Sequence, residues 1–191
     1  VDKVNVDKKV VSFKKIKFHS HENVGYGEVH LPEMEMQTTA FWLTCPEETV
    51  TSFDAPRSEV VDAFRGIGHA MHVVAAMALM VDPRDLGYEV GSRHGDDGMP
   101  ETGAGAGYDP TLFLFDRYAG GIGLSSRLFE DREGLMRRTR KLISACPCEE
   151  GCPACIGPAI ASDLEGVQKP ARSRKRIALE LFSTFGVGEV H

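Results

Sequence analysis

Thr111-Leu-Phe-Leu-Phe-Asp-Arg-Tyr-Ala-Gly-Gly-Ile-Gly-Leu124 decides how this chain folds, because it reads as a strand, a glycine turn and the start of a helix in one stretch. Thr111–Phe115 is an apolar run of strand length, and Leu124, Leu128 and Phe129 then recur at helical spacing. Working outward, residues 8–44 read as β. Val10–Phe18 alternates apolar residues with lysine, and Val24–Leu31 and Met34–Thr44 follow after turn-like breaks at His19–Asn23 and Pro32. Three antiparallel strands are the economical reading. A helix begins near Asp54-Ala-Pro-Arg-Ser-Glu59, with Asp54 or Ser58 available as its cap. It carries Val60, Phe64, Ile67, Met71, Val74 and Ala78 at helical spacing, and its second half is apolar on all sides, which predicts a central helix. Gly87–Arg93 reads as a strand, and His94–Gly107 as a mobile loop rich in Gly, Asp and Ala. Two more helices are expected, one around Leu135, Met136, Leu142 and Ile143, and one over Arg172–Phe185 with Ala178, Leu181, Phe182 and Phe185 inward.

Between those last helices lies Cys146-Pro-Cys-Glu-Glu-Gly-Cys-Pro-Ala-Cys155, with the form C-x-C-x3-C-x2-C. A tight loop of this kind wraps four thiolates around one tetrahedral ion. Zinc accepts four sulfurs at about 2.3 Å with no geometric demand from its filled d shell. Four thiolates leave no open position for water, so the expected role is structural. An iron–sulfur cluster also takes four cysteines, and a metal-free loop is the remaining alternative. Ligands this close in sequence favour a mononuclear ion, and Cys146, Cys148, Cys152 and Cys155 are therefore read as zinc ligands. Cys45, at a strand end, reads as a small core residue.

Composition narrows the class. Hydrophobic residues make up 42% and charged residues 26%, as in a soluble globular chain rather than a disordered one. No apolar run approaches the ~18–20 residues of a membrane span. Four of the five cysteines crowd into ten residues, a metal-site pattern suited to a reducing compartment, so a cytoplasmic location is expected. The chain opens at Val1 with no initiator Met, apolar leader or cleavage site, and we read it as a piece of something longer. The net charge of −6 excludes nucleic-acid binding by bulk charge, so any such contact must be local. The candidates flank the cysteines: Arg137, Arg138, Arg140 and Lys141 before them, and Lys169, Arg172, Arg174, Lys175 and Arg176 after them.

Other chemistry is weaker. The glycines after Asp116 invite a phosphate-loop reading, since they expose backbone N–H groups to an anion, or they let the helix pack closely on the sheet. No G-x-x-x-x-G-K-[ST] occurs, so no nucleotide-hydrolysing motif is present. Asp82, Asp85, Asp96, Asp97, Glu101 and Asp116 are candidates for the magnesium ligands of a nuclease if they converge, and otherwise for caps and solvated loop charges. His69 and His72, three apart on the central helix, read as histidines bonded to backbone, and His19 and His21 as turn residues.

The stretch Thr111–Leu124, then Leu128-Phe-Glu130, then Cys146–Cys155 together resemble the MrfA-type zinc-binding domain, formerly a domain of unknown function, at the C-terminus of superfamily-two DNA helicases. Thr39-Ala-Phe-Trp-Leu43 through Asp82-Pro-Arg-Asp-Leu-Gly87 is similar to the front half of that family. Residues 160–169 depart from the polar, asparagine-containing connection usual there. The resemblance implies an accessory domain of an ATP-driven helicase in DNA repair, with the four cysteines on zinc and the motor, which binds ATP, elsewhere. Related domains in phage-defence helicase systems leave a protein-docking module as the alternative, with a metal-dependent nuclease as a third reading. The expectation is thus a single α+β domain over 1–191, with an N-terminal antiparallel three-stranded meander joined to a mixed sheet with packed helices, and a four-cysteine zinc loop at 146–155. One structural Zn2+ is its cofactor, and DNA and the helicase lobes are its partners. No catalytic residue is assigned to it.

Overall fold

A computed structural model describes residues 1–8, 12–17, 23–28, 34–92, 109–158 and 172–186. The N-terminal region forms four strands: β1 (Asp2–Lys8), β2 (Ser12–Ile16), β3 (Asn23–Glu28) and β4 (Met34–Thr44). β2 and β3 pair with each other as an antiparallel ribbon. β4 instead takes β1 on one side, with Lys8 opposite Met34 and Asp2 opposite Ala40. On its other side β4 pairs with β6 (Pro110–Asp116), and β6 pairs with β5 (Leu86–Ser92). The resulting sheet has the order β1-β4-β6-β5.

The α+β class is as read, and the pairing corrects its detail. The three expected strands exist as β2, β3 and β4, but a fourth, β1, displaces β3 as the neighbour of β4. Every pair in the sheet is antiparallel where a mixed sheet was expected. β1 escaped notice because Asp2-Lys-Val-Asn-Val-Asp-Lys8 alternates two valines with charged and polar residues, the weak pattern of an exposed edge strand. The expected mobile loop at 94–107 lies outside the described residues.

Six helices are described: α1 (Glu47–Thr51), α2 (Arg57–Leu79), α3 (Leu124–Glu130), α4 (Arg132–Ala145), α5 (Pro153–Ile156) and α6 (Arg174–Thr184). α2 is the central one. Ala63, Phe64, Ile67, Ala70, Met71 and Ala75 along it are buried, and it packs against the sheet through β5 and β6 and against α4, α5 and α6. Neither Asp54 nor Ser58 caps it: Pro56 is the N-cap, with no side-chain cap bond, and Arg57 in the first turn is tied to Glu47 of α1 at 2.8 Å. Gly66 and Gly68 allow its close approach. A Cβ on Gly66 would stand 2.2 Å from Ile156 Cγ1 in α5, and one on Gly68 would stand 2.6 Å from Leu112 Cδ1 in β6.

The period-two alternation of β6 reaches as far as its last residue. Leu112 and Leu114 are buried on the core face while Phe113 and Phe115 are only partly covered. Asp116 continues the row of Leu112 and Leu114, so a carboxylate is driven into the interior with no solvent exposure.

Candidate metal centre

The cysteine loop is built at a junction of elements. Cys146 closes the C-terminus of α4, Cys148 lies in the turn beyond it, Cys152 is the N-cap of α5 and Cys155 its third residue. Gly151 takes φ +101°, a left-handed conformation that bends the chain between the two ligand pairs. Cys45, by contrast, is buried in the core away from this loop, and burial pushes its thiol up to about 11.

All four Sγ atoms lie within 4.8 Å of one another. Cys146 and Cys152 are 3.7 Å apart, Cys148 and Cys155 3.5 Å, and Cys152 and Cys155 3.7 Å. A tetrahedral ion with metal–sulfur bonds of about 2.3 Å holds its sulfurs about 3.8 Å apart. The donor set therefore fits a single zinc, whereas a cluster of several irons would spread its cysteines farther. None of the four is in a disulfide. One structural zinc is the cofactor of this fold, and Cys146, Cys148, Cys152 and Cys155 are the residues that would hold it. When bound, the ion cross-links α4, the turn and α5 without an open coordination position.

Backbone dipoles prepare the site for negative sulfur. The N–H groups of Cys155 and Ala154, at the start of α5, lower the Cys152 thiol to about 7. Burial pushes the Cys155 thiol up to about 12. The Cys152 N–H points at Cys155 Sγ across 3.4 Å. A dication held by the four sulfurs would oppose the burial effect at Cys155 by favouring its thiolate.

The glycine turn receives the protein's own carboxylate rather than an outside anion, the capping role that the sequence offered Asp116. Asp116 Oδ2 accepts the N–H groups of Ile122 at 2.7 Å, Gly123 at 2.8 Å and Leu124 at 3.1 Å, and Oδ1 accepts that of Ser125 at 2.8 Å. The protein's own carboxylate sits where an anion would be cradled, at the N-terminus of α3. Gly120, Gly121 and Gly123 have φ of +82°, +74° and +87°, which only glycine adopts without strain. Burial pushes the Asp116 carboxyl up, but the N–H bonds together outweigh it and the net shift is downward.

That arrangement removes the acidic metal site. Asp116 is engaged by four backbone N–H groups, Asp82 accepts the N–H of Arg84 at 2.8 Å and its guanidinium at 2.9 Å, and Asp85 accepts the Tyr118 hydroxyl at 2.7 Å. Among the described residues the four cysteines are the one grouping suited to a metal. Asp96, Asp97 and Glu101 lie outside those residues, as do His19 and His21. His72 Nε2 lies 2.9 Å and 3.1 Å from the carbonyls of Pro83 and Leu86, as a backbone-bonded histidine should.

Of the nine basic candidates, Lys169 lies outside the described residues and the other eight divide. Arg137, Arg138 and Lys141 are exposed on α4, with Arg138 2.6 Å from Asp131 and Arg137 3.9 Å from Glu133. Arg140 is half-buried. Arg176 is exposed, and Arg172 pairs with Glu180 at 2.5 Å. Two do not face outward, which corrects their reading as DNA contacts. Arg174 pairs with Asp62 of α2 at 2.8 Å and donates to the Gly157 carbonyl at 2.8 Å. Lys175 is buried and donates to the carbonyls of Cys146 at 2.6 Å and Cys148 at 2.9 Å. Their positions in the first turn of α6 turn them toward α2 and the zinc loop. Sequence alone saw two more cations in a basic run; the two glycines inside α2 were the available signal that something packs tightly there.

Fold and donor set together define an α+β zinc-binding domain. This chain matches the MrfA Zn-binding domain over residues 67–156, which include the Asp116 turn and all four cysteines. It is 32% identical over 160 residues to the ATP-dependent helicase YprA of Bacillus subtilis (strain 168), covering 84% of this chain and 19% of YprA. It is also 20% identical over 138 residues to the ATP-dependent helicase HRQ1 of Saccharomyces cerevisiae, covering 71% of this chain and 13% of HRQ1. Among solved structures it is similar to the DUF1998 helicase MrfA bound to DNA, with 29% identity and a TM-score of 0.65 over 96% of this chain and 22% of that one. The form bound to DNA and AMPPNP gives 29% identity and a TM-score of 0.58. The chain thus spans roughly a fifth or less of the length of these relatives.

Proposed function

We propose that this chain is the zinc-stabilised accessory domain of an ATP-dependent DNA helicase, supporting DNA engagement and packing beside the motor lobes in DNA repair. The observation that carries the reading is the match over 67–156 combined with similarity to DNA-bound MrfA across nearly the whole chain. On this reading the motor and its ATP site belong to parts of the parent protein outside this chain. Arg137, Arg138 and Lys141 of α4, with Arg176 of α6, supply an exposed cationic surface for sequence-independent phosphate contacts. Cysteines outside any disulfide and a zinc loop suit a reducing cytoplasm.

A salt titration of single-stranded and duplex DNA binding tests this. The expected result is weak binding that falls as salt rises, and a loss of affinity in Arg137→Glu/Lys141→Glu with zinc content unchanged. Salt-independent binding, or a charge-reversed variant that binds as tightly as wild type, would overturn it.

A second reading has its own observation. Val74, Met77 and Ala78 of α2 and Leu142 and Ala145 of α4 line an open groove of about 670 Å³, with Asp131, Arg138 and Lys141 on its rim. Such a surface suits docking against another protein segment, such as a helicase lobe or a partner in a defence system. Under that reading, Met77→Asp weakens association with the motor and leaves DNA binding by the isolated chain unchanged.

A further inference from the structure

Lys175 lies beyond the stretch that matches the zinc-binding family, which ends at residue 156. A lysine ammonium is rarely buried without compensation, because leaving water costs several kcal/mol. Here it is 8% exposed, and among the described residues no carboxylate pairs with it. Two of its three donors are spent on the carbonyls of Cys146 and Cys148. Those two residues supply the first pair of sulfurs. A dication with four thiolates carries a net charge of about −2, so the missing counter-charge is the metal site itself.

The neighbours of Lys175 bind the same loop. Its own N–H donates to the Glu150 carbonyl at 3.1 Å, and the Ser173 hydroxyl donates to the Glu149 carbonyl at 2.9 Å. Arg174 holds Gly157 just past the last ligand and joins it to Asp62 on α2. The first turn of α6 therefore grips the loop at, between and after its ligands.

We infer that Lys175 is the positioning residue of the zinc loop: it fixes the carbonyls of Cys146 and Cys148, balances the thiolate charge, and makes α6 and the metal site one cooperative unit. The loop is held from outside as well as by its ion, in the way that outer partners orient ligands in other metal sites. This rests on the zinc assignment and is independent of the DNA reading.

The test uses the 191-residue chain and follows zinc release to a chromophoric chelator, together with the visible spectrum of the cobalt-substituted protein. Lys175→Met keeps most of the stem and removes the ammonium, Lys175→Gln is the milder variant if the first does not fold, and Lys175→Arg restores the charge. Leu181→Ala, a core loss in the same helix that leaves the loop contacts intact, is the control. Release should speed up by about ten- to a hundredfold in Lys175→Met, with a shifted cobalt–thiolate band, and recover in part in Lys175→Arg. Leu181→Ala should keep the wild-type cobalt spectrum. Wild-type release and spectrum in both Lys175→Met and Lys175→Gln would overturn the inference alone, as would a Leu181→Ala spectrum shifted as far as theirs. A wild-type chain that binds no zinc would overturn it together with the metal assignment.

Discussion

At the scale of single residues, Asp116 shows how one buried charge can organise a turn. Its two oxygens accept four backbone N–H groups that would otherwise be orphaned at the start of α3. Thr38, itself buried, closes the same region by bonding the carbonyls of Asp116 and Tyr118. Asp116→Asn puts an amide N–H₂ among donors and should cost about 2–4 kcal/mol in urea unfolding, since charge-assisted bonds are the strong ones. The pH dependence has a fixed sign. The folded-state pKa is depressed, so the carboxylate stabilises the fold fully above its unfolded value of about 3.9, and that stability is lost as pH falls through the folded value. The stability gap between wild type and Asp116→Asn should therefore close on acidification, and a constant gap from neutral to strongly acidic pH would contradict the assignment. Sequence offered Asp116 a cap or a metal, and the glycines an outside anion or close packing on the sheet; the capping and close-packing readings are the ones the structure bears out. Nothing in the residue order says that the carboxylate folds back on the turn six to nine positions ahead.

At the scale of elements, α2 is the organiser, and its apolar periodicity was plain from the sequence. What periodicity did not convey was distance. Gly66 lets α2 come so near α5 that Ile156, fully buried, fills the place of its missing side chain. Gly66→Ala would gain about 1 kcal/mol in helix propensity, but its Cβ meets both the Ile156 side chain and, at 2.9 Å, its carbonyl oxygen, which cannot rotate away. The overpacking should prevail, with a net loss of about 1–3 kcal/mol measured by denaturant unfolding. A stabilised variant would mean that the zinc segment can withdraw from α2. α1, α5 and the turn at Pro83–Asp85 were not anticipated, because helices of four or five residues carry too little pattern to read.

At the scale of the whole molecule, the zinc loop is continuous with the core and not an appendage. Cys155 and Ile156 belong to the same buried cluster as Phe64 of α2, Leu114 of β6 and Phe182 of α6. Removing the ion should therefore weaken the entire domain. We expect chelation to lower the thermal midpoint by about 10 °C or more in a single transition, the behaviour of a structural zinc whose binding energy is part of folding energy. An unchanged midpoint, or a separate low-temperature transition, would show that the loop melts on its own.

Sequence by itself determined the α+β class, the central helix, the strand-turn-helix around Asp116 and the cluster of four cysteines suited to zinc. These come from periodicity and from the narrow chemistry of four closely spaced thiols, both local properties. Tertiary structure decided the rest: that β1 and not β3 lies beside β4, that Asp116 satisfies the glycine turn from within, and that Arg174 and Lys175 face the metal loop while Arg137, Arg138 and Lys141 face outward. Strand partnership and the direction a cation points depend on which distant segments arrive beside them. Local pattern carries no record of that, because the free energy that selects it comes from burial and hydrogen bonding between residues far apart in the chain.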